Sequence, residues 1–327
     1  MKVLLTGGAG YVGSHAARLL AKSGHEVFIY DNLANGYRAA AGAGTLIEGD
    51  LLDQDRLAAT FRDHAVEAVM HFAALAYVGV SVTDPATYYR NNVVGTLNLL
   101  DAMRTANVDR IVFSSTCATY GTPEKVPITE AEKQDPINPY GYTKLVIERA
   151  LDDYAHAYGL GFAALRYFNA SGAAEDGTIG EDHKPETHLI PLILQVALGQ
   201  REAITVFGDD YPTSDGTCIR DYIHVDDLAT AHLAALERLH PGKGLKLNLG
   251  TGAGASVMEV IDACRRETGH AIPHKVAPRR SGDPAELVAD ASLARKTLDW
   301  TPKYVGIEPI VKSAWRWHKA HPQGYDG

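Results

Sequence analysis

Residues 7–13 read Gly-Gly-Ala-Gly-Tyr-Val-Gly and stand between a short apolar run, residues 3–5, and a helical pattern over residues 11–22. Three of the glycines form a Gly-x-x-Gly-x-x-Gly pattern. Gly7 permits a tight turn, Gly10 lets the backbone approach a pyrophosphate, and Gly13 allows close packing of helix on strand. The first helical residues, Tyr11 and Val12, would offer N–H groups and a positive dipole to phosphates. The stretch therefore predicts a dinucleotide-binding loop.

The rest of the first half alternates short apolar runs with helical patterns. We expect strands at residues 3–5, 26–30, 45–48, 68–72, 110–113 and 162–166, and helices at residues 11–22, 53–62, 86–104 and 139–157. Such alternation predicts βαβ units and an α/β fold with a parallel sheet covered on both faces. Ligands bind these sheets beyond the carboxyl ends of the strands.

The second half has a different pattern. Residues 171–185 are rich in Gly, Asp and Glu and predict a loop. Helices are expected at 189–198, at 226–239, and from a cap at Ser256 to about residue 268. Residues 245–249 read as a strand that returns to the sheet. We therefore expect a smaller C-terminal α/β lobe, residues 171–327, beside a domain of residues 1–170 to which the chain returns at about 219–249.

Composition excludes several classes of protein. The chain of 327 residues has 31 Lys and Arg against 40 Asp and Glu, which argues against general nucleic-acid binding. No apolar run approaches the ~20 residues of a membrane span, and the run after Lys2 is too short for a signal peptide. Three widely spaced cysteines form no disulfide framework, so we expect a cytoplasmic protein. His183 and His188 fit no common ligand spacing, so solvated loop histidines and no metal are expected.

An acidic residue, Asp31, ends the expected second strand. An acid at this place accepts hydrogen bonds from the adenosine ribose and repels a 2′-phosphate, which favours NAD over NADP. A solvated turn acid is the alternative for Asp31 and Asn32. Arg38 argues the other way, because an arginine just beyond this strand could meet a phosphate.

A tyrosine and a lysine open the expected helix at residue 139. Asn138 suits the N-cap and Pro139 the first helical position. Tyr140 and Lys144 lie four residues apart and share one helix face. The Lys144 ammonium, the helix N-terminus and an oxidised nicotinamide would lower the pKa of Tyr140, which could then act as a base while a cofactor takes hydride. A surface Tyr–Lys contact is the alternative.

Several motifs together resemble a known superfamily. They are the glycine loop, Ser114-Ser115-Thr116 after a strand, the Tyr140/Lys144 pair, and residues 166–169, 207–212, 220–225 and 279–283. The chain resembles the extended short-chain dehydrogenase/reductases and, over nearly its whole length, their UDP-glucose (UDP-galactose) 4-epimerase family. The resemblance implies a Rossmann-type doubly wound parallel sheet, an NAD-binding domain (1–170), a UDP-sugar-binding lobe (171–327), tightly bound NAD, transient oxidation at C4, and a homodimer.

The resemblance also implies residue roles. Tyr140 is the implied base, Lys144 its electrostatic partner and Thr116 a hydroxyl shuttle. Cofactor contacts are implied for Gly7, Gly10, Tyr11, Val12, Gly13, Asp31, Asn32, Asp50, Leu51, Phe72, Ala73, Asn92, Ser114, Tyr140, Lys144 and Tyr167. Substrate contacts are implied for Thr116, Tyr140, Asn169, His188, Leu189, Arg220, Arg280, Asp283 and Leu287. Thr187-His188-Leu189 departs from the Asn-Asn-Leu of some members, which leaves the His188 contact open.

The sequence alone leaves alternative functions open. Related chains epimerise UDP-N-acetylhexosamines or UDP-pentoses, and the bulk of Leu287 would bear on that choice. Nucleotide-sugar dehydratases resemble one another in an Asp-Glu pair after the active-site Thr, where this chain has Cys117-Ala118. A non-catalytic NAD-binding regulator would not need Tyr140 and Lys144. The helices over 86–104 and 139–157 would form a dimer face or merely cover the sheet.

Overall fold

The computed structural model describes residues 1–280 and 282–326, so Ser281 of the 279–283 motif lies outside the described residues. The strands are β1 (Lys2–Thr6), β2 (Glu26–Asp31), β3 (Thr45–Glu48), β4 (Ala68–His71), β5 (Arg110–Thr116), β6 (Gly161–Tyr167), β7 (Asn169–Ser171), β8 (Ile204–Phe207), β9 (Ile219–His224), β10 (Gly244–Leu249), β11 (Gly254–Ser256), β12 (His274–Ala277) and β13 (Glu286–Leu287). The helices are α1 (Tyr11–Lys22), α2 (Gln54–His64), α3 (Val78–Thr83), α4 (Pro85–Tyr88), a π-helical turn (Tyr89–Val94), α5 (Gly95–Thr105), α6 (Pro139–Tyr158), α7 (Leu189–Ala197), α8 (Val225–Glu237), α9 (Val257–Thr268), α10 (Ser292–Leu298) and α11 (Ile307–Ala320), with short 3₁₀ turns at Arg38–Ala41, Cys117–Thr119 and Gly324–Asp326.

The larger sheet is parallel and confirms the predicted fold class. Its seven strands run in the order β10-β6-β5-β4-β1-β2-β3. The chain winds outward from β1 in both directions, so the strand order reverses between β1 and β4. Ligands of doubly wound sheets bind at this switch point, beyond the carboxyl ends of the strands. The glycine loop follows β1 and therefore lies at this edge of the sheet.

Both faces of this sheet are buried because alternate side chains of each strand enter separate cores. Leu5 and Ile29 belong to the core shared with α1 and α8, whereas Leu4 and Phe28 belong to the core shared with α2, α5 and α6. The near-continuous apolar strands thus fit a sheet covered on two sides. The expected return of the chain is present in α8, which packs on α1, and in β10, which pairs with β6.

The smaller lobe surrounds a third core. It has a sheet in the order β11-β9-β13, to which β7 adds by pairing with β9, and a pair of strands β12 and β8. Helices α7, α9 and α11 contribute its buried residues. The predicted cap at Ser256 is present as a capping box with Glu259. The sequence boundary between the two domains stays a prediction.

The expected single helix over residues 86–104 is wrong. The segment consists of α4, the π-helical turn and α5, and α3 precedes it. The buried Asn92 lies in the π-helical turn, and its carboxamide bonds to both Leu75 backbone groups and to the Thr143 hydroxyl. Periodicity did not detect this, because the cause is a tertiary contact; π-turns of this kind concentrate at functional sites. Within the described residues, the helices are too short or too polar to cross a membrane.

Candidate active site

The start of α6 positions the predicted base. The Asn138 side chain accepts a hydrogen bond from the N–H of Gly141 at 2.9 Å, so Asn138 caps the helix as expected. A Cβ at Gly141 would lie 2.5 Å from the carbonyl oxygen of Ala118. Only glycine therefore lets the first turn of α6 pack against the turn that follows β5. This packing brings Tyr140 to the carboxyl end of the sheet.

Tyr140 meets Thr116 there, as the resemblance implied. The two side chains are hydrogen-bonded, and this bond favours the phenolate. Burial is nevertheless the larger effect and raises the pKa of Tyr140. Burial therefore outweighs the groups of the protein that would lower this pKa, and the lowering expected from an oxidised nicotinamide stays a prediction. Sequence spacing placed the tyrosine but did not show how strongly its surroundings exclude water.

Lys144 lies deep beneath the tyrosine. Its side chain is buried, and Nζ donates to the Ser114 carbonyl oxygen at 2.8 Å. Nζ also lies 4.8 Å from the centre of the Phe113 ring and 5.9 Å from that of Tyr140. Burial lowers the pKa of Lys144 to about 7, against the opposing charge of Glu148. The amine is thus poised to change its charge near neutral pH.

A buried ion pair, which the sequence pattern did not predict, supports this face of α6. Glu148, four residues after Lys144, pairs with Arg166 of β6 at 2.9 Å and 2.5 Å and accepts from the Ser115 hydroxyl at 2.6 Å. Arg166 also donates to the Tyr120 hydroxyl at 2.8 Å. The network ties α6 to β5 and β6, so it fixes the helix that carries Tyr140 and Lys144. The only signal in the sequence was the four-residue spacing from Lys144.

The glycine loop has the predicted backbone. Gly7 has φ +71°, and a Cβ there would lie 2.5 Å from the Ala73 backbone nitrogen. A Cβ at Gly13 would lie 2.2 Å from the Gly7 carbonyl oxygen, which explains the close approach of helix to loop. A Cβ at Gly10 would meet only the Gly7 carbonyl oxygen, at 3.4 Å, so the N-cap of α1 presents bare backbone. The arrangement suits a pyrophosphate.

Asp31 braces this loop. Its carboxylate accepts from the N–H groups of Ala9 and Leu33, at 3.0 Å and 2.9 Å, and burial raises its pKa. Arg38, which could favour NADP by binding a 2′-phosphate, forms an ion pair with Glu48 at 2.6 Å. The acid therefore lies at the loop, and the arginine has a carboxylate partner. Both features favour an unphosphorylated ribose.

The other predicted cofactor residues surround the same edge of the sheet. Asn32 donates to Asp50 at 2.9 Å, and the Ser114 and Tyr167 hydroxyls are 2.6 Å apart. Leu51 is buried, and Phe72 and Ala73 directly follow β4 with both N–H groups donating to Thr6. The Tyr11 hydroxyl instead donates to the Gly172 carbonyl at 2.6 Å, and the Asn92 carboxamide bonds to Leu75 and Thr143. Because its hydroxyl is engaged, Tyr11 can contact a phosphate only through its backbone N–H.

The small sheet brings three predicted substrate residues together. Leu287 of β13 stands opposite Arg220 of β9, and β7, which begins at Asn169, is the neighbour of β9 near Tyr222. Arg220 donates to Asp283 at 2.5 Å. Two of the charged residues predicted to hold the substrate therefore pair with each other. Arg220 also donates to the carbonyls of Ile219 and Pro284 and still retains N–H groups for a phosphate. Its charge also reaches Cys117, the neighbour of Thr116.

Three further predicted substrate residues, Arg280, His188 and Leu189, do not belong to this sheet. The Arg280 guanidinium lies 4.2 Å from the centre of the Phe207 ring. Leu189 begins α7, and His188 is its N-cap. The His188 ring faces the carboxylates of Glu181 and Glu186 at 2.9 Å and 3.0 Å.

The geometry can be compared with that of known proteins. Residues 3–250 match the family described as NAD dependent epimerase/dehydratase. The chain belongs to this family. A UDP-glucose 4-epimerase of Halalkalibacterium halodurans is 53% identical over 326 residues, 99% of this chain and 98% of the relative. The NAD complex of the Brucella ovis UDP-glucose 4-epimerase is 52% identical, with TM-score 0.93 and coverage of 96% and 97%.

A second solved structure is also similar over both parts of the chain. The UDP-glucose 4-epimerase of Bifidobacterium longum, solved with NAD⁺ and UDP, is 40% identical, with TM-score 0.95 and coverage of 99% of this chain and 100% of that one. The predicted superfamily, fold class and NAD cofactor are thereby confirmed. The individual residue roles stay predictions, supported by the contacts described above.

One expectation about this family member needs correction. His183 was expected to be a solvated loop histidine, but its side chain is only 19% exposed. It lies beside Glu181, Glu186 and His188. Its ring packs edge-on against the rings of Tyr11 and Tyr77, with ring centroids 6.2 Å and 6.3 Å apart. Residues far apart in the chain enclose this histidine, which its sequence spacing could not reveal.

Proposed function

We propose that this protein interconverts UDP-glucose and UDP-galactose by transient oxidation at C4 of the hexose. The observation that best supports this function is the hydrogen bond between Tyr140 and Thr116. It lies above the buried Lys144, at the sheet edge that also holds the glycine loop. The family and the activity named for its relatives supply the reaction class. We also infer the residue roles that the resemblance implied, with the changes stated above for Tyr11 and Asn92.

The chain's own groups divide the reaction between them. NAD, when bound at the glycine loop, would supply reversible hydride chemistry at C4 and a positive ring charge in its oxidised form. Tyr140 takes the proton of the 4-hydroxyl, directly or through Thr116. It returns the proton after the 4-keto sugar has rotated to present its opposite face. Arg220 and Arg280 hold the diphosphate, because planar guanidinium groups suit phosphate oxygens. The sugar can then rotate about its link to a fixed anchor.

The raised pKa of Tyr140 has a mechanistic consequence. Since burial outweighs the groups that favour the phenolate, Tyr140 is a poor base without another positive charge. An oxidised nicotinamide bound beside Tyr140 would supply that charge. Tyr140 would then remove the proton of the 4-hydroxyl more readily with the oxidised cofactor in place than with the reduced one.

The rival reactions find less support. A dehydratase needs acid–base groups just after Thr116, but burial raises the pKa of the Cys117 thiol there to about 12. A thiol of this kind neither donates nor accepts protons readily at neutral pH. A regulator without turnover has no use for a buried lysine at Lys144, whose desolvation is costly.

Conversion without added cofactor tests this function. We expect purified protein to release NAD(H) on denaturation and to convert UDP-galactose to UDP-glucose unaided, because each cycle regenerates NAD⁺. Chromatography of the sugar nucleotides and absorbance at the NADH band measure both results. A requirement for stoichiometric fresh NAD, with NADH released, would contradict epimerisation.

Leu287 gives a prediction about the sugar's 2-substituent. Its side chain is half-buried and packs on the cluster of Tyr120, Ile128, Phe168 and Ala289, which Cys117 also joins. UDP-N-acetylgalactosamine should therefore react measurably but more slowly than UDP-galactose. Leu287→Tyr should reduce kcat/KM for the acetylated sugar by roughly 10- to 200-fold and spare the plain hexose, because overfilling a site costs ~1–3 kcal/mol.

The readout for Leu287→Tyr is the ratio of the two kcat/KM values, which cancels general losses of active enzyme. Leu293→Tyr is the matched control, because Leu293 is exposed on α10. An unchanged ratio in Leu287→Tyr would mean that Leu287 packs within the lobe without meeting the sugar.

We further propose a cytoplasmic homodimer. Exposed apolar side chains on neighbouring helices of one face, Tyr89, Val94, Tyr142 and Val146, suit a second copy of the chain. The three cysteines are free thiols, as is usual in a reducing compartment. Light scattering of the sample used for the conversion assay measures its mass, and a monomer would contradict the dimer.

A further inference from the structure

Two histidines and two glutamates converge just before α7. This quartet consists of Glu181, His183, Glu186 and His188, and one potential ligand atom of each lies within 4.8 Å of the others. Both glutamate side chains are nearly buried, at 5% and 6% exposed. Burying two carboxylates is costly unless positive charge compensates them.

The nitrogen and oxygen atoms of the quartet are close enough to share one ion. His183 Nδ1 lies 3.3 Å from Glu181 Oε1 and 3.6 Å from Glu186 Oε2. His188 Nδ1 lies 2.9 Å and 3.0 Å from the Oε1 atoms of the same two carboxylates. A tetrahedral zinc ion with bonds of about 2.0–2.1 Å places its ligands about 3.3 Å apart. Both histidine distances to Glu181 Oε1, 3.3 Å and 2.9 Å, lie near that edge, and the two oxygens of Glu186 each face one histidine, at 3.6 Å and 3.0 Å.

Hydrogen bonding accounts for one half of this arrangement, because His188 Nδ1 and Glu186 Oε1 form a hydrogen bond at 3.0 Å. Among the described residues, His183 Nδ1 is buried without a hydrogen-bond partner although two carboxylates are near. Each Nδ1 faces two carboxylate groups, and a single N–H cannot point at both. Two carboxylates, two neutral imidazoles and a divalent cation sum to zero charge. A quartet of two protonated histidines and two carboxylates is the competing arrangement.

We propose that the quartet binds one divalent transition-metal ion of the zinc class. Imidazole nitrogens together with carboxylate oxygens suit Zn²⁺, whereas Mg²⁺ and Ca²⁺ prefer oxygen ligands alone. The Glu186 carboxylate is already oriented by the N–H groups of Thr187 and His188 at 2.7 Å and 2.8 Å. Such contacts to a ligand fix its position for a metal.

The ion would stabilise the conformation of a segment that contacts both parts of the fold. His183 contacts the ring of Tyr11 in the glycine loop, and the Glu181 carbonyl accepts from Trp317 of α11 at 3.3 Å. His188 is the cap residue of α7. The role is structural and does not enter the reaction. It also makes His188 a metal ligand instead of a substrate contact, while Leu189 keeps its proposed place.

Zinc uptake by the full-length chain tests the site. We expect chelator-treated protein to bind one Zn²⁺ per chain, measured by elemental analysis after equilibrium dialysis against Zn²⁺ alone. Since the bound ion stabilises only the folded chain, saturation should also raise Tm by about 5 °C. His183→Gln/His188→Gln should lower affinity at least ~100-fold and abolish the shift in Tm, and Mg²⁺ should not substitute.

The matched control removes two exposed histidines elsewhere, His156→Gln/His240→Gln, and should bind zinc as the unaltered chain does. Cobalt loading of the unaltered chain keeps the test decisive if the first double variant does not fold. Tetrahedral Co²⁺ gives an intense visible band that octahedral Co²⁺ lacks. Zinc uptake equal in both double variants, or no saturable uptake and no such band, would overturn the site and leave the ion-paired quartet. Neither result depends on epimerase activity.

Discussion

Tyr140→Phe should lower kcat by at least ~10²–10⁴, the largest effect expected of any single substitution in this chain. The change removes the phenolic oxygen hydrogen-bonded to Thr116 and leaves the ring. The 4-hydroxyl then has no base of comparable placement. UDP-sugar affinity should change little, because Arg220 and Arg280 remain. Steady-state rates with UDP-galactose and titration with UDP measure the two quantities separately.

Tyr142→Phe is the control for this experiment. Tyr142 lies two residues further along α6 and is 42% exposed, so the same chemical change there should leave kcat nearly unaltered. NAD content, measured after denaturation, shows whether either variant has lost the cofactor. A Tyr140→Phe enzyme with normal NAD content and most of its activity would remove Tyr140 from the mechanism.

The elements that the sequence predicted well are those that depend on local geometry. Gly7 has the positive φ and Gly13 the close packing expected from the pattern, because a missing Cβ is a property of the residue itself. Asn138 caps α6, which sets Tyr140 and Lys144 on one face by helical spacing alone. The order of βα units was readable for the same reason.

What the sequence left hidden depends on contacts between distant segments. Arg166 and Glu148 are paired across a strand and a helix, and Asn92 sits in a π-helical turn that contacts Leu75. The direction of the pKa of Tyr140 depends on burial, which no spacing reveals. The burial of His183 is not predictable from its spacing, because its enclosing rings come from α1 and the loop before α3.

Lys144→Met should lower kcat by at least ~100-fold and yet stabilise the fold near neutral pH. The activity falls because a charge close to the reacting groups is lost. The stability rises because a buried amine is replaced by an apolar side chain of similar length. The lost hydrogen bond to the Ser114 carbonyl opposes this gain by about 1 kcal/mol.

The pH dependence has a definite sign. The pKa of Lys144 falls from 10.5 to about 7 on folding, so the unfolded chain binds more protons between these two values. The penalty for burying Lys144 is therefore small above pH 10.5 and grows as the pH falls towards 7. After the hydrogen bond is subtracted, Lys144→Met should be about 3 kcal/mol more stable at pH 7 and nearly equal to the unaltered chain at pH 9.5.

Urea unfolding of NAD-free protein at the two pH values measures this difference without a contribution from cofactor affinity. Lys243→Met is the control, because Lys243 is exposed and its replacement should change stability little at either pH. A Lys144→Met chain that is less stable at both pH values would show that the amine is a structural contact. A gain at pH 7 that disappears at pH 9.5, together with the loss of activity, would show that the fold gives up stability to keep a titrating amine beneath Tyr140.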